Sequence, residues 1–142
     1  DVIRQLIRIG LDRVVGWASP ATLAVAIETI DGGAVIDEVA PGDVPAMRDS
    51  GAAMLDVRTT SECADGMIEG AVNIPYTRLI PRLGEVPEGE PIIVNCKAGG
   101  RSAAACTMLA RAGRTVVNLE GGYQAWLAAI EAQPALATQT NS

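Results

Sequence analysis

Val94-Asn95-Cys96-Lys97-Ala98-Gly99-Gly100-Arg101-Ser102-Ala103 reads as the end of a buried strand, a thiol, a short glycine-containing loop and the start of a helix. The strand is Pro91-Ile92-Ile93-Val94-Asn95, apolar at successive positions as in a parallel strand covered on both faces. The helix is predicted from Ser102 to about Ala112, with Ala103, Ala104, Cys106, Leu109 and Ala110 forming a small-residue apolar face. Gly113 stops it, and residues 115–119 form the next strand. Gly121-Gly122 then precede a last helix over residues 123–132.

Upstream the same alternation holds. Residues 52–57 form a second buried strand, and a short helix spans 60–65. The loop from 66 to 75 contains a brief strand at 71–74, followed by a helical turn near 77–82. Before these come a strand at Ala34-Val35-Ile36 and a helix at 43–49 with Asp43 as N-cap. Strands alternating with helices predict an α/β fold, a central parallel sheet with helices on both faces. Sites in such sheets form where strand C-termini meet helix N-termini, and Cys96 lies at such a junction.

Composition narrows the chemistry. Of 142 residues, 49% are hydrophobic and 20% charged, enough apolar matter for one packed core. Aromatics are 3% with no Phe, so that core is built from Ala, Val, Leu, Ile and Met. The net charge is −6 and no Lys/Arg run exists, which argues against nucleic acid and requires local donors for any bound anion. The chain has no His, which excludes Ser–His–Asp and Cys–His catalysis and any His-ligated metal; no metal or cofactor is expected. Cys63, Cys96 and Cys106 form no CxxC pair and are read as reduced thiols, placing the chain in the cytoplasm. No stretch is long enough to span a membrane, and Asp1-Val2-Ile3-Arg4 does not open a signal peptide.

The loop after Cys96 is where reactivity is expected. It can curl so that several N–H groups point inward as an anion cradle, the two glycines supplying positive φ angles. Cradle, helix dipole, Lys97 and Arg101 all favour thiolate over thiol. Such a thiolate can attack a sulfur or phosphorus centre without a histidine base, and the same donors can hold an anionic persulfide. Taken alone, a Cys after a strand is more often a buried core residue; the full strand–Cys–loop–Arg–Ser–helix order makes the functional reading the stronger.

Four segments in order resemble the rhodanese family. Cys-Lys-Ala-Gly-Gly-Arg-Ser at 96–102 is similar to its Cys-x-x-Gly-x-Arg-Ser active-site loop. Met54-Leu55-Asp56-Val57-Arg58 with Glu62, Gly70-Ala71-Val72-Asn73-Ile74-Pro75, and Leu119-Glu120-Gly121-Gly122 with Trp126 resemble three further family elements. The resemblance covers about residues 36–131, and it departs at Met67, where the family commonly has His. It implies a sulfurtransferase in which Cys96 takes sulfane sulfur from a donor such as thiosulfate or glutathione persulfide and passes it to a thiol acceptor. Lys97, Ala98, Gly99, Gly100, Arg101 and Ser102 would bind the persulfide and the donor, with Asp56, Arg58 and Glu62 as a supporting charge network. Cys63, Cys106, Trp17 and Trp126 are expected to pack.

Residues 34–132 are thus read as the rhodanese domain and 133–142 as a disordered tail. Residues 6–15 echo 109–117, both reading Leu-x-Arg-x-Gly and later Val-Val, which makes 1–33 a candidate tail of an upstream copy. Residues 7–16 also resemble the junction in proteins that fuse a metallo-β-lactamase-fold hydrolase to rhodanese domains, and the missing initiator Met fits a fragment of such a protein. Two other readings compete. Phosphatases of related fold have five residues between Cys and Arg, against four here, Lys97 to Gly100; the tighter bowl suits one sulfur atom. Non-catalytic rhodanese-like binding modules often lack the Cys that this chain has.

Overall fold

The structure, a computed structural model, describes Ser19 and residues 35–134. The chain divides into two units, Asp1–Val35 and Ile36–Ser142, and nearly all described residues fall in the second. The expectations for residues 1–33, for Trp17 and for the tail past Pro134 lie outside the described residues.

Five strands make one all-parallel sheet in the order β1-β5-β4-β2-β3: β1 (Glu38–Val39), β2 (Ala53–Asp56), β3 (Val72–Asn73), β4 (Ile92–Asn95) and β5 (Val116–Leu119). Among the described residues the α-helices are α1 (Val44–Asp49), α2 (Thr60–Cys63), α3 (Gly100–Arg111) and α4 (Gly122–Ala132). The continuous apolar run of β4 follows from burial on both sides. Ile92 and Val94 pack with Leu55, Ile74 and with Ala105, Cys106 and Leu109 of α3. Ile93, between them, faces the other way into Met54, Val44 of α1 and Trp126 of α4. Successive strand residues alternate faces, so a strand covered by helices on both sides reads as a continuous apolar run.

Strand order sets the site. From β2 the chain leads outward to β3, and from β4 it leads the opposite way to β5. The loops leaving these two adjacent strands diverge, opening a crevice at their C-terminal ends. Asp56 and Asn95 stand side by side at that edge, and Cys96 is the next residue.

Several boundaries differ from the sequence reading. The first strand is Glu38–Val39 rather than residues 34–36: Val35 is 78% exposed, whereas Val39 is buried and registers with Leu119. Asp43 occupies the N-cap position of α1 but caps nothing, because a 3-10 turn, Pro41–Asp43, already holds it in helical geometry. α2 is shorter than 60–65, and the turn near 77–82 is two 3-10 segments, Tyr76–Arg78 and Ile80–Glu85. α3 begins at Gly100, two residues before Ser102, because Gly99 turns the chain straight into the helix. No helix among the described residues is long and apolar enough to cross a membrane.

Candidate active site

Cys96 follows the last residue of β4 and is 2% exposed. Its Sγ accepts the Gly99 N–H at 3.2 Å and lies 3.4 Å from the Ser102 hydroxyl. That hydroxyl has one proton and a second acceptor, the Gly99 carbonyl at 2.9 Å. The shorter contact takes the proton while sulfur is neutral; a thiolate, as the charged acceptor, draws it over. Burial is the largest single influence on this thiol and pushes its pKa up. The Ser102 hydroxyl and the N–H groups of Ser102, Ala98 and Gly99 together outweigh it and leave the thiol below its ordinary value.

The loop curls because its carbonyls have partners elsewhere. The Cys96 carbonyl accepts Tyr123 N–H at 2.8 Å and the Lys97 carbonyl accepts Gln124 N–H at 3.1 Å. Both donors belong to the first turn of α4, which a helix cannot satisfy internally. With the carbonyls turned toward α4, the loop N–H groups face the sulfur. Such close contact requires Gly122, at φ +61°: a Cβ there would sit 2.5 Å from the Cys96 carbonyl oxygen and 2.9 Å from the Ala98 and Gly99 nitrogens. Of the two loop glycines, Gly99 alone has positive φ, +96°. Gly100 is the first residue of α3, so the expectation that both supply the curl is corrected.

Two ion pairs flank the cradle. Arg58 and Asp56, 4% and 0% exposed, bond through Nε at 3.0 and 2.9 Å and through Nη2 at 2.7 Å. Arg58 also donates to the Gly66 carbonyl at 2.8 Å, and its guanidinium lies 3.9 Å from the Tyr123 ring centroid. The Glu62 carboxylate takes a different partner, Arg101, which clamps it with two bonds of 2.7 and 2.8 Å. The link between the two pairs is the Glu62 backbone carbonyl, 3.4 Å from Arg58 Nη1. Pairing with Arg101, then the Thr59 N–H, holds the Glu62 carboxyl well below the usual carboxylate range. Pairing with Glu62 is the main influence that raises the Arg101 pKa, and the Cys96 sulfur adds to it as a lesser one. Ser102 is buried beneath the sulfur, while Lys97, Ala98 and Gly100 are exposed at the rim.

Three contributors were not singled out in the sequence. Thr59 fixes Glu62 through a reciprocal capping box at the start of α2, and the spacing Thr59-x-x-Glu62 is a readable signal for it. Asn73 donates to the carbonyls of Asp56 and Arg58, 2.9 Å each, tying β3 to the crevice. Tyr123 stacks on Arg58. The last two are pairings across the fold, and neither partner can be read from the residues beside them in sequence. Cys106 is fully buried, and burial pushes its thiol up to about 12. Cys63 is half-buried, its thiol raised chiefly by burial and then by Asp56. Trp126 packs under the sheet.

A family model described as a rhodanese-like domain matches residues 40–129. The chain belongs to the rhodanese-like domain family. A sulfurtransferase of Allochromatium vinosum is 38% identical over 74 residues, spanning 51% of this chain and 69% of that protein. The chloroplastic thiosulfate sulfurtransferase 16 of Arabidopsis thaliana is 40% identical over 85 residues, 51% of this chain and 71% of that one. Among solved structures, the rhodanese-related protein of Thermoplasma volcanium superposes with a TM-score of 0.60 at 30% identity, covering 66% of this chain and 92% of that one. The reduced CoADR-RHD of Bacillus anthracis gives 0.65 at 29% identity, with 94% of this chain matching 26% of that longer one. The sheet order and the two helix layers are those of a rhodanese-like fold, and the chain has sulfurtransferase relatives of moderate identity.

Proposed function

We propose that this rhodanese-like domain moves sulfane sulfur through a persulfide on Cys96. The Cys96 thiolate attacks the outer sulfur of thiosulfate, an S–S bond forms, the donor's S–S bond breaks and sulfite leaves. With glutathione persulfide the leaving group is the glutathione thiolate. An acceptor thiolate then attacks the terminal sulfur and returns Cys96 to thiolate, so the cycle needs no outside oxidant or reductant. The observation that carries this reading is a thiol ringed by the Gly99 N–H and Ser102 hydroxyl, with its pKa lowered in spite of burial. The same donors suit the anionic persulfide. In this reading Lys97 and Arg101 face the incoming donor, and Asp56, Arg58 and Glu62 hold the crevice.

Two broader expectations belong to the same proposal: that the protein works in a reducing compartment, and that residues 1–33 end an upstream unit, with a hydrolase-like domain fused before it. That a rhodanese-like relative lies within a longer protein, of which this chain matches 26%, is in keeping with a multidomain parent. The mass of the full-length gene product tests it.

The direct test is incubation with thiosulfate followed by intact and peptide mass spectrometry. One added sulfur atom on the Cys96 peptide, absent in Cys96→Ser, is the expected result. A chain that gains sulfur from neither thiosulfate nor glutathione persulfide is a binding module instead.

A further inference from the structure

The charges around the sulfur point to a donor preference within the sulfur-transfer reading, on which this inference rests. Arg58 is buried and committed to Asp56, Gly66 and the Glu62 carbonyl. Arg101, the cation that would greet an anionic donor, is clamped by Glu62. Glu62 is not a loose surface carboxylate. Oε2 accepts the Thr59 N–H at 3.0 Å, the Thr59 hydroxyl at 2.9 Å and Arg101 Nη1 at 2.8 Å, and Oε1 accepts Arg101 Nη2 at 2.7 Å. Two of these bonds come from Thr59 and hold the carboxylate in place to receive Arg101, so one side of the pair is fixed before the arginine docks. Each arginine at the site is therefore matched by its own carboxylate. Among the described residues of the loop, Lys97, exposed at the rim, is the cation without a carboxylate partner that faces a donor, and it does so against the Cys96 thiolate in a chain of net charge −6.

We infer that Glu62 is a specificity-determining residue: by holding Arg101 it disfavours dianionic donors such as thiosulfate and leaves Cys96 to singly charged persulfides. Thiosulfate carries two negative charges toward a thiolate, whereas an uncharged thiol's persulfide carries one, and repulsion scales with the product of charges. Both reactions balance as written above, each with one S–S bond formed and one broken. Glu62 touches neither donor; it acts through Arg101.

The experiment compares second-order loading rates of Cys96, read by mass spectrometry, for thiosulfate and for hydroxyethyl persulfide, whose only charge is on sulfur. Glu62→Gln keeps the capping-box geometry, since Gln serves at that position, while removing the charge. The ratio of thiosulfate to persulfide rate is expected to rise about tenfold, the size of one charge acting on a dianion at the protein surface. Adding Arg101→Gln to Glu62→Gln is expected to reverse the gain. In the unaltered chain, raising the ionic strength should speed thiosulfate loading relative to persulfide loading, because screening relieves the larger repulsion. A ratio that moves less than about twofold in Glu62→Gln, a gain that survives Arg101→Gln, or no differential salt effect overturns the inference while sulfur transfer stands. A chain that loads with neither donor overturns both readings.

Discussion

Gly122→Ala tests whether α4 shapes the nucleophile loop. Two costs add at this position. A side chain at φ +61° pays roughly 1–2 kcal/mol of left-handed strain. The new methyl would also overlap a backbone oxygen at 2.5 Å and two backbone nitrogens at 2.9 Å, atoms that cannot swing away. Such overpacking costs roughly 1–3 kcal/mol, giving about 2–5 kcal/mol in all. Gly99→Ala meets nothing closer than 3.7 Å and should lose only the strain, roughly 1–2 kcal/mol. Gly100→Ala, helical and with nothing within 4 Å, should be neutral or stabilising by up to ~1 kcal/mol. Urea denaturation at neutral pH ranks the three, and the rate of Cys96 alkylation by iodoacetamide reports the cradle. Gly122→Ala should slow alkylation at fixed pH, because a loop pushed off α4 no longer aims its N–H groups at sulfur. If Gly122→Ala lies within about 0.5 kcal/mol of Gly100→Ala and reacts like the parent, the claim that α4 holds the loop is wrong.

Other outcomes follow from the same geometry. Alkylation of Cys96 should show its pH midpoint below that of a free thiol, and Ser102→Ala should move that midpoint upward by removing the hydroxyl donor. Because the folded state favours the thiolate, its contribution to stability is present above the unfolded thiol's pKa. It is lost as pH falls through the folded one, so the stability difference between the parent and Cys96→Ser should grow with pH in urea titrations. Asp56→Ala leaves the Arg58 guanidinium buried without its counter-charge and should cost about 3 kcal/mol in urea denaturation; a loss under about 1 kcal/mol would show the pair to be solvated. Cys106→Ala should cost roughly 1 kcal/mol through a small cavity and leave sulfur loading on Cys96 unchanged by mass spectrometry.

The central elements were legible because they are driven by local pattern. β4 and β2 are apolar on both faces, and glycines at 99, 113 and 121 mark where helices start or stop. β1 was misplaced by several residues, since two residues of an edge strand are selected by pairing with Asn118 and Leu119 and not by their own propensity. The candidate site was legible at Cys96, Arg101 and Ser102, which fall within one short strand–loop–helix stretch. That Glu62 would bind Arg101, 39 residues away, and that Arg58 would bind Asp56 instead, depends on how α2 packs across the crevice. A row of mixed charges does not say which partner each will take. The structural role of Gly122 was equally hidden, because its need for a bare Cα comes from the Cys96 carbonyl, far away in sequence.

The order in which a ribosome releases this chain gives the α4 contact a further meaning. Cys96 emerges well before Tyr123 and Gln124, the residues whose N–H groups turn the loop carbonyls aside. Until they arrive, the carbonyls of Cys96 and Lys97 lack the partners that turn them away from the sulfur. The nucleophile loop is therefore completed from its C-terminal side, by a helix that the ribosome releases after the thiol it braces.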